Sequence, residues 1–129
     1  MKDISVLLIE DNMDDEWLTV RALRKVGVTD VTVARDGMSA LSALLGNSET
    51  GEQVSCVPDL IILDLRLPKI DGLDVLRKIR TEGLTSDTKV LVLSSSEDPH
   101  DIDVCKKLGV LGFSSKPLDG RALLDLQLA

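Results

Sequence analysis

The sequence predicts an α/β domain in which a parallel β-sheet lies between two layers of helices. The chain has 129 residues, the size of one ordinary domain, and its 43% apolar content is enough for a buried core. Short apolar runs alternate with longer stretches of helical period, and this βα pattern occurs five times. Some runs, such as residues 60–63, are apolar at consecutive positions, which is typical of strands covered on both faces. Right-handed crossovers between such strands produce a three-layer α/β sandwich.

The five apolar runs predict strands, and the stretches between them predict helices. The strands are expected at residues 4–9, 30–34, 59–63, 89–94 and 111–114. Apolar residues at spacings of three or four place one stripe on each intervening helix. These stripes are Leu18, Ala22 and Val26; Leu41, Leu44 and Leu45; Leu76 and Ile79; and Ile102, Cys105 and Leu108. Gly27, Gly83 and Gly109 follow three of the stripes, where a left-handed helix cap is common. The polar segment 46–57 is expected to be an exposed loop.

The charge balance and the scarcity of aromatic residues exclude several classes of partner. The net charge of −7 argues against nonspecific binding to nucleic acid or to anionic membranes, because both favour basic surfaces. With Trp17 and Phe113 as the only aromatic residues, a platform for stacking bases is also disfavoured. No apolar run approaches the roughly 18 residues that span a bilayer. We therefore expect no direct nucleic-acid or membrane partner.

The two cysteines indicate a reducing compartment. Cys56 and Cys105 are far apart in the sequence, and His100 is the only histidine. This pattern favours neither a zinc site nor a disulfide framework. The N-terminal residues do not resemble a signal peptide. We therefore expect a cytoplasmic protein.

Polar side chains follow four of the predicted strands. Glu10 and Asp11 follow the first strand, Asp64 the third and Ser94 the fourth, while Lys116 comes close behind the fifth. Because ligands of open parallel sheets bind beyond the carboxyl ends of the strands, these five side chains are expected to converge at one edge.

This set of residues favours phosphoryl chemistry with a divalent cation. Three carboxylates repel one another by about 4 kcal/mol per pair at about 4 Å with an effective dielectric constant near 20. Lys116 offsets one charge, and Mg²⁺ would suit oxygen ligands beside a phosphate. An ionised aspartate can attack phosphorus and form an acyl phosphate, a reaction that needs mainly positioning and charge neutralisation. Such a site requires no catalytic histidine or cysteine.

Five segments of the sequence resemble the receiver domain of two-component response regulators. They are VLLIEDN at 6–12, PDLIILDLRLP at 58–68, DG at 71–72, VLVLS at 90–94 and SKP at 115–117. Their order and spacing match over nearly the whole chain. The resemblance implies a flavodoxin-like (βα)5 fold with strand order 2-1-3-4-5, and one receiver domain over residues 1–129.

The resemblance also implies the phosphoacceptor and the metal ligands. Asp64 would be phosphorylated by a sensor histidine kinase or a histidine phosphotransferase. Glu10 and Asp11 match the acidic pair that holds Mg²⁺, with Asp11 as the direct ligand and Glu10 acting through water. Asp64 and the backbone carbonyl of Arg66 would complete the ligand set. The Arg66 side chain either covers the phosphoryl group and slows its hydrolysis, with Ser96 at the other flanking position, or points into solvent or towards a kinase.

The switch residues follow from the same resemblance. Ser94 matches the hydroxyl that turns towards the phosphoryl group, and Lys116 matches the lysine that pairs with it. Phe113 corresponds to the aromatic switch position, with a simple core role as the alternative. The Lys116–Pro117 bond falls where the family often has a cis peptide. A fifth helix at 121–128 would be short, which leaves open a monomer or a phosphorylation-sensitive homodimer.

The expected function is that of a signalling phosphoacceptor and not of an enzyme. Since the chain ends soon after Pro117, we expect no output domain after the receiver, and an unknown downstream protein would recognise its phosphorylated surface. The sequence resembles the stand-alone regulators paired with phytochrome-type histidine kinases. Two alternatives remain open: a phosphatase with an aspartyl intermediate, although Arg66 occupies the place of its second acid, and a binding module that functions without phosphate.

Overall fold

Five strands alternate with four helices in the computed structural model, which describes residues 4–46, 57–67, 70–81, 88–94, 98–116 and 118. The strands are β1 (Ser5–Ile9), β2 (Asp30–Ala34), β3 (Leu60–Leu63), β4 (Lys89–Ser94) and β5 (Gly112–Ser115). The helices are α1 (Met13–Lys25), α2 (Gly37–Leu45), α3 (Gly72–Thr81) and α4 (Pro99–Lys107). All five predicted strands are confirmed, with ends that differ by no more than one residue.

The strands form one parallel sheet in the order β2-β1-β3-β4-β5. This order and the flavodoxin-like fold confirm the prediction. Ile9 pairs with Leu63, and Leu63 pairs with Val92. The carboxyl ends of β1 and β3 therefore lie at the same level. Glu10 directly follows β1 and Asp64 directly follows β3, so the two residues lie side by side.

The sheet has a core on each face, because successive strand residues point to opposite sides. On one face, β1, β3 and β4 pack against buried residues of α2, α3 and α4. On the other face, the alternate residues of the same strands pack with Leu23 of α1 and with Leu118. The three-layer sandwich is thus confirmed. No helix in the part of the chain described here has both the length and the apolarity needed to cross a membrane.

The predicted apolar stripe of α1 is confirmed in part, because Ala22 and Val26 pack partly buried against the core. Leu18 is 41% exposed, whereas Thr19 and Leu23 are buried. The core-facing side of α1 therefore includes Thr19 and Leu23 beside Ala22 and Val26, and spacing alone did not identify Leu18 as exposed. The exposed side of α1 also carries Trp17, whose ring lies 5.3 Å from the guanidinium carbon of Arg21.

Arg80 of α3 forms hydrogen bonds with the residues that follow α4. Its guanidinium donates hydrogen bonds to the carbonyls of Leu108 at 2.7 Å, Gly109 at 3.1 Å and Thr88. Leu108 and Gly109 follow the last turn of α4, where carbonyl groups lack partners within the helix and a cation is favourable. Arg80 therefore anchors the C-terminal end of α4.

Two of the three predicted glycine caps are confirmed. Gly27 and Gly109 have φ values of 88° and 70°, in the left-handed region. Gly83, the loop residues 47–56, Ser96, Pro117 and the fifth helix expected at 121–128 lie outside the described residues.

Candidate functional site

Asp64 lies directly after β3 at the carboxyl edge of the sheet and is 5% exposed. Its Oδ1 accepts a hydrogen bond of 2.9 Å from the backbone amide of Arg66. Its Oδ2 lies 2.9 Å from Nζ of Lys116. Each carboxylate oxygen thus has its own donor, and the side chain is held in one orientation.

Gly72, the first residue of α3, allows this helix to approach the Asp64 backbone closely. The Gly72 amide donates to the carbonyl of Leu65 at 3.0 Å. A Cβ at position 72 would lie 2.7 Å from the Asp64 carbonyl oxygen and still closer to Cα of Leu65. Asp71 starts the turn, since its side chain accepts from the amide of Leu73. The Asp-Gly motif therefore shapes the loop that follows the acceptor residue.

Glu10 and Asp11 complete an acidic cluster with Asp64. Glu10 is 1% exposed, although it carries a carboxyl group, while Asp11 is exposed. One oxygen of each of the three residues lies within 4.8 Å of the others. Three carboxylates in this arrangement, two of them buried, fit a hard divalent cation such as Mg²⁺, which prefers oxygen ligands.

Lys116 follows β5 and provides the positive charge of the site. Its Nζ lies 2.6 Å from Glu10 Oε1, 2.9 Å from Asp15 Oδ2 and 2.9 Å from Asp64 Oδ2. An ammonium group has three N–H donors, so three carboxylates saturate it. Its backbone amide donates to the Ser94 carbonyl at 3.2 Å, which links β5 to the end of β4.

Asp15 was missed in the sequence analysis. It lies in the first turn of α1, whose N-cap Asn12 accepts hydrogen bonds from the amides of Asp14 and Asp15. The contact with Lys116 was not predictable, since it depends on how α1 lies relative to β5.

Burial and the neighbouring charges shift the protonation equilibria of the site. Burial, together with the hydrogen bond and negative charge of Asp64, raises the pKa of Glu10 to about 7, although Lys116 opposes this shift. Burial lowers the pKa of Lys116, but contacts with Glu10, Asp64 and Asp15 outweigh it, and the net pKa is raised. Lys116 is therefore a permanent cation at physiological pH.

The predicted switch residues lie on the neighbouring strands β4 and β5. Ser94 ends β4, is fully buried and pairs with Ser115. Phe113 pairs with Val92 and packs partly buried against the core shared by α2, α3 and α4. The Arg66 side chain is exposed. The roles of these residues stay predictions.

Residues 6–127 match the family described as "Response regulator receiver domain". The chain is 34% identical over 119 residues to the alkaline phosphatase synthesis transcriptional regulatory protein SphR of Synechococcus elongatus, with 92% of this chain and 45% of SphR covered. It is 32% identical over 120 residues to the two-component response regulator ARR17 of Arabidopsis thaliana, with 91% and 78% covered. The chain therefore spans less than half of SphR but most of ARR17.

Solved structures show the same similarity over the whole fold. The bacteriophytochrome response regulator AtBRR has a TM-score of 0.82 at 34% identity, with 98% of this chain and 91% of that chain covered. The Mn²⁺-bound response regulator Rcp1 has a TM-score of 0.79 at 30% identity, with 95% and 88% covered. The phosphorylated cyanobacterial phytochrome response regulator RcpA has a TM-score of 0.78 at 33% identity, with 97% and 89% covered.

Proposed function

The chain belongs to the response regulator receiver domain family, and we propose that it is a phosphoacceptor of a two-component system, with Asp64 as the acceptor. The observation that carries this proposal is the position of the Asp64 carboxylate. It lies between the Arg66 amide and the Lys116 ammonium, beside the buried Glu10. We assign residues 1–129 as a whole to one such domain.

In the proposed reaction, one oxygen of the Asp64 carboxylate attacks phosphorus and forms an acyl phosphate. The bond between phosphorus and the donor atom breaks, and its electron pair leaves with the donor. Lys116 offers N–H groups to the phosphoryl oxygens, and the Arg66 amide keeps the carboxylate oriented. Glu10, Asp11 and Asp64, with the Arg66 carbonyl, would hold Mg²⁺, which when bound neutralises negative charge on the phosphoryl group.

Phosphorylation would change the surface that the protein presents to partners. The acyl phosphate adds acceptor oxygens and charge beside Lys116 and near the end of β4. We propose that the Ser94 hydroxyl donates to it and that Phe113 turns inward. A change from a mostly inactive to a mostly active population needs about 5.5 kcal/mol of differential interaction. Charge-assisted hydrogen bonds from Lys116 and Ser94, together with the metal, are of the kind that can supply it.

The proposed phosphoryl donor is a sensor histidine kinase or a histidine phosphotransferase. AtBRR and RcpA are described as bacteriophytochrome and phytochrome response regulators, which favours a phytochrome-type kinase. We propose that the protein acts in the cytoplasm, as a monomer or a phosphorylation-sensitive homodimer, on a downstream protein. Slow self-hydrolysis, and not turnover of a substrate, would end the signal.

Intact-mass analysis after incubation with acetyl phosphate tests the proposal. We expect a gain of one phosphoryl group that requires Mg²⁺, is labile to hydroxylamine and is absent in Asp64→Asn. Asp59→Asn is the matched control, because Asp59 precedes the same strand at the opposite edge and bonds to Ser5. This control should be phosphorylated like the wild type.

Two results would contradict the proposed function. If the wild type forms no adduct and also binds no beryllofluoride in the presence of Mg²⁺, the fold would serve as a phosphate-independent binding module. Repeated turnover of a small phosphate ester, abolished in Asp64→Asn, would instead indicate a phosphatase with an aspartyl intermediate.

A further inference from the structure

Asp15 contacts the central lysine of the site, although the resemblance to the family assigns it no role. Its Oδ2 lies 2.9 Å from Nζ of Lys116, the same distance as Asp64 Oδ2. It lies in the first turn of α1, where its backbone amide donates a hydrogen bond to the Asn12 side chain. The contact is therefore part of the ordered start of the helix.

The three carboxylates around Lys116 are not equivalent. The side chains of Glu10 and Asp64 are 1% and 6% exposed, whereas that of Asp15 is 34% exposed. Glu10 and Asp64, together with the backbone bond to Ser94, already orient Lys116 from the buried side. Asp15 thus approaches Lys116 from the more exposed side, where it occupies one of its three N–H groups.

A phosphoryl group on Asp64 competes for these N–H groups. When Asp64 becomes an acyl phosphate, its carboxylate loses its charge, and the N–H that it held becomes available to a phosphoryl oxygen. Glu10 and Asp15 still hold the other two. A phosphoryl group has three strong acceptor oxygens, so it can use a second N–H if one is released. The negative charge of Asp15 also repels that of the phosphoryl group. The occupied N–H and this repulsion both weaken the binding of the phosphoryl group.

We propose that Asp15 is a positioning residue that keeps one N–H of Lys116 away from the phosphoryl group and so weakens its retention on Asp64. The inference rests on the proposed function of Asp64 as phosphoacceptor. It makes Asp15 a determinant of the lifetime of the phosphorylated state. Loss of its carboxylate is expected to stabilise that state.

The test compares Asp15→Asn with Asp14→Asn by titration with beryllofluoride at saturating Mg²⁺, followed by the protein-bound ¹⁹F signal. Asp14 is the matched control because it lies in the same turn, is exposed and carries the same charge, whereas the ion pairs of Lys116 among the described residues involve Glu10, Asp15 and Asp64. We expect Asp15→Asn to tighten binding about three- to fivefold, the size expected for a partly exposed ion pair. Asp14→Asn should change the beryllofluoride affinity by less than half of that factor. Asp15→Glu, which keeps the carboxylate, should bind beryllofluoride with the wild-type affinity.

A second measurement needs neither metal nor beryllofluoride. In the metal-free protein, proton exchange of the Lys116 ammonium, observed by NMR, should be faster in Asp15→Ala than in the wild type or Asp14→Asn, because one N–H is released to water.

The outcomes separate this inference from the proposed function. Equal affinities of Asp15→Asn and Asp14→Asn, or weaker binding by Asp15→Asn, would overturn the role of Asp15 while the wild type still binds. If the wild type does not bind beryllofluoride, both the proposed function and the inference are wrong.

Discussion

The helices α3 and α4 each follow a site residue at the carboxyl end of a strand, but they are packed very differently. Of the ten residues of α3, five are buried: Gly72, Leu73, Val75, Leu76 and Ile79. Of the nine residues of α4, only Cys105 is buried. The free energy that resists displacement of a helix grows with its buried apolar area, so α3 is the more firmly held. The acceptor Asp64 thus precedes a fixed helix, and Ser94 precedes one that can shift at small cost.

This difference suits the proposed signalling. The acceptor carboxylate must stay aligned with Lys116 in every state, because misplacement of a reacting group slows group transfer. The helix after Ser94 must instead have two arrangements that differ by no more than a few kcal/mol, since phosphorylation can shift their equilibrium only by its differential interaction with the two. Burial on α3 and exposure on α4 meet these two requirements.

Truncation of one isoleucine on each helix should give the largest contrast. Ile79 of α3 is fully buried, whereas Ile102 of α4 is partly exposed. We expect Ile79→Ala to lower the free energy of unfolding by about 3–4 kcal/mol and Ile102→Ala by about 1 kcal/mol. Urea denaturation followed by circular dichroism measures both. Equal losses would mean that α4 is held as firmly as α3.

Alanine at the two helix-end glycines should give the next largest effect. Gly72→Ala forces a Cβ into the backbone of Asp64 and Leu65, and we expect a loss of about 2–3 kcal/mol in the free energy of unfolding together with slower phosphorylation of Asp64. For Gly109→Ala, no atom of the described residues lies within 4 Å of the added Cβ, but the φ of 70° remains strained, so the expected loss is about 1 kcal/mol with normal phosphorylation. Normal phosphorylation of Gly72→Ala would show that α3 does not shape the acceptor loop.

Removal of the guanidinium of Arg80 tests the connection between the helices. Arg80→Met leaves three carbonyls without their donor, and we expect a loss of about 2 kcal/mol in the free energy of unfolding and faster amide exchange in α4. Arg77→Met is the control, because within the described ranges Arg77 forms only an exposed ion pair with Asp74, worth about 0.5 kcal/mol or less. Unchanged exchange in α4 would argue that other contacts hold its end.

The smallest expected effect is a pH dependence of Mg²⁺ binding and of stability that arises from Glu10. Mg²⁺ competes with the proton for Glu10, whose pKa is raised to about 7. The affinity of the protein for Mg²⁺ should therefore rise about fivefold between pH 6 and pH 7. Without metal, the folded protein retains this proton at higher pH than the unfolded chain, so the stabilising contribution of protonated Glu10 is lost as pH rises from 4.5 to about 7. Calorimetric titrations should show a flat profile for Glu10→Gln. A steep rise that persists in this variant would assign the titration to another group.

The strands and the core of the site were predictable because their signals are local. Consecutive apolar residues define β3, and the rule that parallel strands end at one edge brings Glu10 and Asp64 together. On α1, Ala22 and Val26 contact the core as predicted, but Leu18 is exposed and Thr19 is buried in its place, because only packing against the sheet distinguishes adjacent positions of the first turns. The contact between Asp15 and Lys116 joins residues 101 positions apart, and its distance depends on the docking of α1. Gly72 was predictable as part of the Asp-Gly motif. The reason that a glycine is needed there, the close approach of the Leu65 backbone, is visible only in the structure.

The anchor formed by Arg80 gives α4 the geometry of a lever. With its C-terminal end tied at Leu108 and Gly109, a movement of α4 becomes a rotation about that end. Nine residues at a rise of 1.5 Å make a helix about 13 Å long, so a rotation of about 10° displaces its first residue, Pro99, by about 2 Å and its last hardly at all. The amplitude is then greatest near Ser94, where the signal would originate, and it decreases along the helix towards the pivot.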